Sequence, residues 1–257
     1  MVNLKMLHSQ KIISLVPSIT LLLCDLGLEN NIVGRTKFCI HPAEKIKKIP
    51  IIGGTKNIDL NKIKTLQPDI IFVSKEENIK EQILELKKSF KVIVFDVASL
   101  EDNYKMIVKI GKLTNTLERA HKIIIETKLN FEQLKNNIIL SNLNALYLIW
   151  KNPYMTVGKD TFIHDMLTQM GLNNLFAHQT RYPIIQNLQT SYFQKCQLVL
   201  LSTEPYPFSE KHFKEIQEQL PQAKIILADG EYFSWYGSKI IEAPTYFQQL
   251  LEKINKT

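Results

Sequence analysis

The chain has 257 residues, enough for one large domain or two small ones, and its 45% hydrophobic and 22% charged content is ordinary for a globular protein. A net charge of +7 does not signal nucleic acid here, because the lysines alternate with Glu and Gln, as in KEENIKEQILELKK, and no basic stripe carries interleaved aromatics. Three cysteines, Cys24, Cys39 and Cys196, contain no CxxC pair and leave one over, so a disulfide framework is not expected.

The first apolar run, IISLVPSITLLLC, has the length of a signal-peptide core and ends as a lipoprotein signal would. Leu23, however, stands where such processing needs a small residue. Pro17-Ser18 splits the run into a strand and a helix, with Ser18 placed to cap the helix. No segment reaches the roughly 18–20 apolar residues that spanning a bilayer requires. As written the chain reads as cytoplasmic, or as periplasmic or surface-tethered if an export signal has been removed.

Strand-like runs at 11–16, 32–35, 69–74 and 91–95 alternate with helical stretches, which predicts a mainly parallel sheet with crossover helices. The strand at 32–35 delivers Phe38, Cys39 and His41 to a loop closed by Pro42. Alternate residues of extended chain share one side. Cys39 and His41 are therefore weak metal candidates, as ligands to a soft metal or axial ligands to haem or cobalt, and otherwise line a pocket.

From 101 to 138, Met106, Ile110, Leu113, Leu117, Ala120, Ile124, Phe131, Leu134 and Ile138 keep one helical face, interrupted only at Thr127. Thr114-Asn115 breaks the segment, leaving a helix from about 116 to 136 that spans ~30 Å. A coiled-coil dimer is one reading; an intramolecular brace between two α/β blocks is preferred. Further strands at 145–150, 197–202 and 224–228 form the second block, and LQPDIIFVSKEEN in the first is echoed by KCQLVLLSTEP in the second. The expected organisation is an N-terminal α/β lobe at 1–100, a helical linker at 101–140 and a C-terminal α/β lobe at 141–257.

Catalytic candidates are thin. VGKDT at 157–161 lacks the earlier glycine of a phosphate loop, since positions 153 and 154 are Pro and Tyr. The histidines, at 8, 41, 121, 164, 178 and 212, never pair at i, i+4; His164 reads as structural and His121 as solvated. Aromatics are denser. Trp150 and Tyr154 follow one strand, Tyr206 and Phe208 a second, and Tyr232, Phe233, Trp235 and Tyr236 a third, a grouping that suits a large flat ligand. Phe208 and Phe233 are assigned to the core, whereas Trp150, Trp235 and Tyr236 are expected to be partly exposed. Glu204 and Glu231 lie in the same loops. Arg35 and Arg181 are candidates for anionic ligand groups, with Tyr182 beside Arg181, though Arg181 paired to Glu204 is an equal alternative.

Four segments, SLVPSIT, VGRT…HP, IGGTKNIDLNKIKTLQPDIIFVS and IWKNPYMTVGKDTFIHDML, occur in this order within a stretch running from Ile12 to Ile254. It resembles the helical-backbone (class III) solute-binding proteins of ABC importers, in particular the branch that binds cobalamin, haem and ferric siderophores. The resemblance implies an α/β fold of two Rossmann-like lobes with mainly parallel sheets, joined by one long rigid helix, with a ligand cleft between them. It also implies a monomer without catalysis or intrinsic cofactor, binding a corrinoid, haem or ferric chelate. Ligand contacts would fall near Phe38 or His41, Trp150, Tyr182 and the 231–235 loop. The family docks on its permease through one glutamate per lobe; here Asn61 and Gln189 stand in those places, with Asp59, Glu76 or Glu77 as substitutes in the first lobe only. Many members also carry Glu where this chain has Leu21. The competing reading, a cytoplasmic enzyme acting on a tetrapyrrole or cofactor, needs Cys39, His41, Glu204 or Glu231 to converge. A nucleic-acid binder would show steep salt dependence.

Overall fold

The computed structural model describes residues 10–137 and 142–256. Ile138, the last position of the predicted helical stripe, and His8 lie outside them. The chain divides into two compact α/β units, the first formed by Met1–Val97, Tyr104–Ile123 and Gly237–Lys239, the second by Ala98–Asn103, Ile124–Tyr236 and Ile240–Thr257.

In the first unit, β1 (Ile12–Ser14), β2 (Ile32–Arg35), β3 (Ile70–Ser74) and β4 (Val92–Phe95) form a parallel sheet in the order β2-β1-β3-β4. Every residue of β1 and β3 is buried, as continuous apolar runs must be when helices cover both sheet faces. In the second unit, β5 (Asn144–Leu148), β7 (Asn173–Asn174), β9 (Leu198–Ser202) and β10 (Lys224–Ala228) form a parallel sheet in the order β10-β9-β5-β7, and β6 (Tyr154–Met155) pairs antiparallel with β8 (Ile184–Ile185). Matching β1 to β5, β2 to β7, β3 to β9 and β4 to β10 makes the two strand orders identical. The sequence echo between LQPDIIFVS and KCQLVLLS therefore falls on topologically equivalent strands, β3 and β9.

The helices are α1 (Pro17–Asp25), α2 (Ala43–Ile46), α3 (Leu60–Leu66), α4 (Lys80–Lys87), α5 (Leu100–Leu113), α6 (Leu117–Asn137), α7 (Phe162–Gln169), α8 (Phe213–Gln219), α9 (Glu231–Ser234) and α10 (Ala243–Asn255). Helix α1 corrects one expectation. It starts at Pro17, whose fixed φ suits the first helical position, so Val16 is the N-cap and no side chain caps it. Ser18 lies inside the first turn, buried. Helices α5 and α6 are broken where Thr114-Asn115 predicted, with Asn115 at φ 56°. The predicted stripe faces inward at Met106, Ile110, Ala120, Ile124, Phe131 and Leu134, and Thr127, expected to interrupt it, is itself buried. Helix α6 has 21 residues and runs from the first unit into the second.

The first core gathers Ile13, Leu15, Ile52, Ile63, Ile71 and Val73; the second gathers Leu146, Leu148, Phe193, Val199, Leu201 and Phe208. A three-residue strap, 237–239, belongs to the first unit although the chain on both sides of it belongs to the second. Gly237 has φ +78°, and a Cβ there would come within 3.1 Å of the Ser18 carbonyl, so the position favours glycine on both counts. Beside it Ser238 Oγ donates to Asp25 Oδ2 at 2.5 Å. Among the described residues no helix is long and apolar enough to cross a membrane.

Candidate functional site

The second unit brings its aromatics together at the carboxyl ends of neighbouring strands, where α/β sheets usually bind ligands. After β5 the chain turns through Trp150 to Pro153, with Asn152 at φ 62°, and returns as β6. Ile149 N–H donates to the Met155 carbonyl at 3.0 Å, and Met155 N–H to that of Trp150 at 3.2 Å. Trp150 is left 40% exposed at the tip. Its ring meets Tyr206 edge-on at 5.7 Å, and Tyr206 packs in turn on Phe208 at 4.7 Å and His212 at 5.7 Å. Phe208 is buried, as the sequence assigned.

Glu215 on α8 holds this turn. It accepts from Lys151 Nζ at 2.5 Å and from Tyr154 OH at 2.6 Å. Lys151, then Tyr154, keep its carboxyl below the ordinary range; burial, then Glu215, push the Tyr154 phenol up to about 12. The sequence gives no sign of this role, because Glu215 lies 61 residues from Tyr154 and reads only as a polar position on a short helix.

Glu204 leaves β9 and accepts from Ser234 Oγ of α9 at 2.6 Å. Next to it, Glu231 N–H donates to Asp229 Oδ1 at 3.1 Å, and Gly230 N–H to Thr203 Oγ1 at 2.9 Å. Burial first, and then the charges of Glu231 and Asp229, raise the Glu204 carboxyl above its usual value, against the bond from Ser234. A raised carboxyl holds its proton longer in the native chain than in the unfolded one. Its stability contribution therefore falls as pH climbs past the ordinary carboxylate range, and the penalty is complete once Glu204 is ionised. Glu204→Gln, which keeps the acceptor for Ser234, is expected to melt above the parent at about pH 8, the gap closing toward about pH 4. Thermal unfolding across that range is the check, and a lower melting temperature at the alkaline end would contradict it.

Trp235 and Tyr236 correct the sequence reading, which expected partial exposure. Both are buried, and Tyr236 stands edge-on to Phe162 of α7 at 5.9 Å. Polar and small neighbours did not reveal which way these side chains turn. Arg181 also departs from the Glu204 pairing considered above, for its partner is Asp160: the backbone N–H donates to Oδ1 at 2.5 Å and Nε lies 3.4 Å from Oδ2. That double contact holds Arg181 at φ 58°, a left-handed conformation uncommon outside glycine. Tyr182 is half-buried beside it, as Glu231 is at the start of α9.

In the first unit Phe38 is 49% exposed, with Lys37 Nζ 5.1 Å above its ring. Cys39 does not share its side. It is wholly buried, because Cys39 N–H closes a turn onto the Thr36 carbonyl at 3.2 Å and the chain is not extended there. Its thiol contacts Thr20 Oγ1 at 3.0 Å and Thr36 Oγ1 at 3.2 Å, and burial pushes its pKa up, the opposite of what a nucleophile or thiolate ligand needs. His41 is half-buried, so the predicted Cys39–His41 pair is not presented together. Among the described residues no group of three or more His, Cys, Asp or Glu is arranged to hold a metal. Arg35, proposed as an anion receptor, is buried and donates to the carbonyls of Ile46 at 3.2 Å, Thr36 at 3.2 Å and Cys39 at 2.9 Å. At the carboxyl ends of β1 and β3, Asn78 Nδ2 bonds the Leu15 carbonyl at 3.2 Å and its Oδ1 accepts from Ser74 N–H at 2.9 Å, so a side-chain amide bridges that edge. Asn61 and Gln189 are exposed.

The periplasmic binding protein family profile matches residues 12–198. An ABC transporter substrate-binding lipoprotein of Bacillus subtilis is 29% identical over 180 residues, 66% of this chain and 57% of that protein, so the match spans little more than half of that relative. A vitamin B12-binding protein of Photorhabdus laumondii is 23% identical over 252 residues, covering 95% of this chain and 88% of its own. The solved periplasmic haem-binding protein of Vibrio cholerae superposes with a TM-score of 0.79 at 19% identity, covering 95% of this chain and 99% of that one, a likeness of fold. With a profile match over most of its length and twin parallel α/β units, the chain belongs to the periplasmic binding protein family, and it is a solute-binding protein rather than an enzyme.

Proposed function

We propose that the chain captures a metal-chelate solute, a corrinoid before a haem or ferric siderophore, outside the cytoplasm and hands it to an ABC importer. The observation that carries this reading is the Trp150–Tyr206 pair. An indole 40% exposed and braced edge-on at 5.7 Å, on a turn that Glu215 holds through Lys151 and Tyr154, offers a large apolar face at low conformational cost. Tyr182 and Glu231, also in the second unit, are the further ligand contacts of this reading. The names of the relatives support the ligand class: vitamin B12 for one, haem for another. An importer lacking the glutamate-mediated docking of the cobalamin branch fits the neutral Asn61 and Gln189.

The test is titration of the purified chain with cyanocobalamin, haemin and ferrichrome, followed by thermal shift and absorbance. A ligand at 100 times its Kd adds about 2.7 kcal/mol to the stability. Trp150→Ala is expected to weaken binding by about 10- to 100-fold, the range of an aromatic anchor, with the unliganded melting temperature within a few degrees of the parent. No shift with any of the three ligands would overturn the reading, and an unchanged Kd in Trp150→Ala would remove Trp150 from the site.

A further inference from the structure

We infer that the solute carries little or no negative charge, so that the site selects neutral or cationic chelates against anionic ones of the same shape. This inference rests on the ligand-binding reading above and narrows it. The cations beside the candidate residues already have partners. Lys151, next to Trp150, has its ammonium 2.5 Å from Glu215 and a side chain only 16% exposed. Arg181, next to Tyr182, is paired with Asp160 through both its backbone N–H and its Nε. Arg35 is turned inward onto three carbonyls.

The carboxylates are placed differently. β5, β9 and β10 are consecutive in the second sheet, so the loops that follow them are neighbours. The first carries Trp150, the second Glu204 and Tyr206, the third Asp229. Glu204 takes its bond from a neutral hydroxyl, Ser234, and Asp229 Oδ1 takes one from a backbone N–H. A carboxylate-bearing macrocycle laid on Trp150 and Tyr206 would meet like charge from these two loops, and like-charge juxtaposition rejects a ligand more strongly than an apolar mismatch does. An amide-rimmed macrocycle meets hydrogen-bond acceptors instead.

The experiment compares charge at constant shape. One pair is cyanocobalamin against its monocarboxylic acids, in which a single side-chain amide has become a carboxylate. The other is haemin against its dimethyl ester. Each is titrated into the whole chain at about 0.05 M and about 0.5 M salt, where screening lengths differ severalfold. In whichever macrocycle binds, the member without the carboxylates is expected to bind about tenfold tighter at low salt, with a smaller ratio at high salt. Asp160→Asn, which removes the charge opposite Arg181, is expected to narrow the ratio. Equal affinities, or tighter binding of the carboxylate member, would overturn the inference and leave the binding reading intact. Failure of both macrocycles to bind would overturn the inference, and failure of ferrichrome as well would overturn the binding reading.

Discussion

Phe233→Ala is expected to destabilise the second unit by about 3–5 kcal/mol, the range for deleting a buried phenylalanine ring. Phe233 has no exposed surface. Its ring lies 4.9 Å from Tyr147 of β5, 4.8 Å from Phe247 and 6.4 Å from Tyr246 of α10. It thus joins the central strand of one sheet to the last helix through α9, which is a single turn and holds itself only weakly. The aromatic neighbours are rigid, so the void would collapse poorly, which favours the upper part of the range. Against a native stability of about 5–15 kcal/mol, the variant should shift the urea midpoint far below that of the parent. Phe233→Leu, which refills most of the volume, should lose less than half as much. A loss under about 1 kcal/mol for the alanine variant would show that the ring does not hold these elements together.

Arg35→Ala is the second large effect, about 2–4 kcal/mol by loss of charge-assisted hydrogen bonds and exposure of their acceptors. The guanidinium joins β2, where Arg35 resides, to α2 through the Ile46 carbonyl and to the Phe38 loop through Thr36 and Cys39. Burying a guanidinium is itself unfavourable, which keeps the estimate below the plain sum of three bonds. Arg35→Lys should recover little, because an ammonium lacks the fork that reaches all three acceptors. Urea unfolding gives the stability. Amide hydrogen exchange across 36–39 gives the local effect: protection of Cys39 N–H should fall more than that of β1. If the lysine variant is as stable as the parent, the fork geometry is irrelevant.

Much of the fold was legible because the strands are long and apolar. The segments IVGR, IIFVS, LVLLS and KIILA lie where the runs predicted, and β10 matches residue for residue. The pairs β6–β8 and β5–β7 were not legible, since two-residue strands have no periodicity to read. In the site, composition and position after a strand located Trp150 and Tyr206 but did not give side-chain direction. Cys39 turned inward because its loop closes on Thr36, and Trp235 and Tyr236 turned inward beyond α9. The surroundings of the arginines needed the fold for a related reason. A sequence gives the charge of Arg35 and Arg181, whereas the groups they meet, the Ile46 carbonyl and Asp160 among them, come from elsewhere in the chain.

The strap at 237–239 sets the order in which the molecule can be completed during synthesis. Ser238 reaches Asp25 across 213 positions of sequence, and Gly237 lies against α1, which follows β1. A nascent chain holding every strand of the first sheet still lacks these contacts until residues 237–239 emerge. Contacts this distant in sequence are slow to form, so the amino-terminal unit remains unfinished through most of translation. For the same reason, cutting the gene at the long helix would not yield two complete halves.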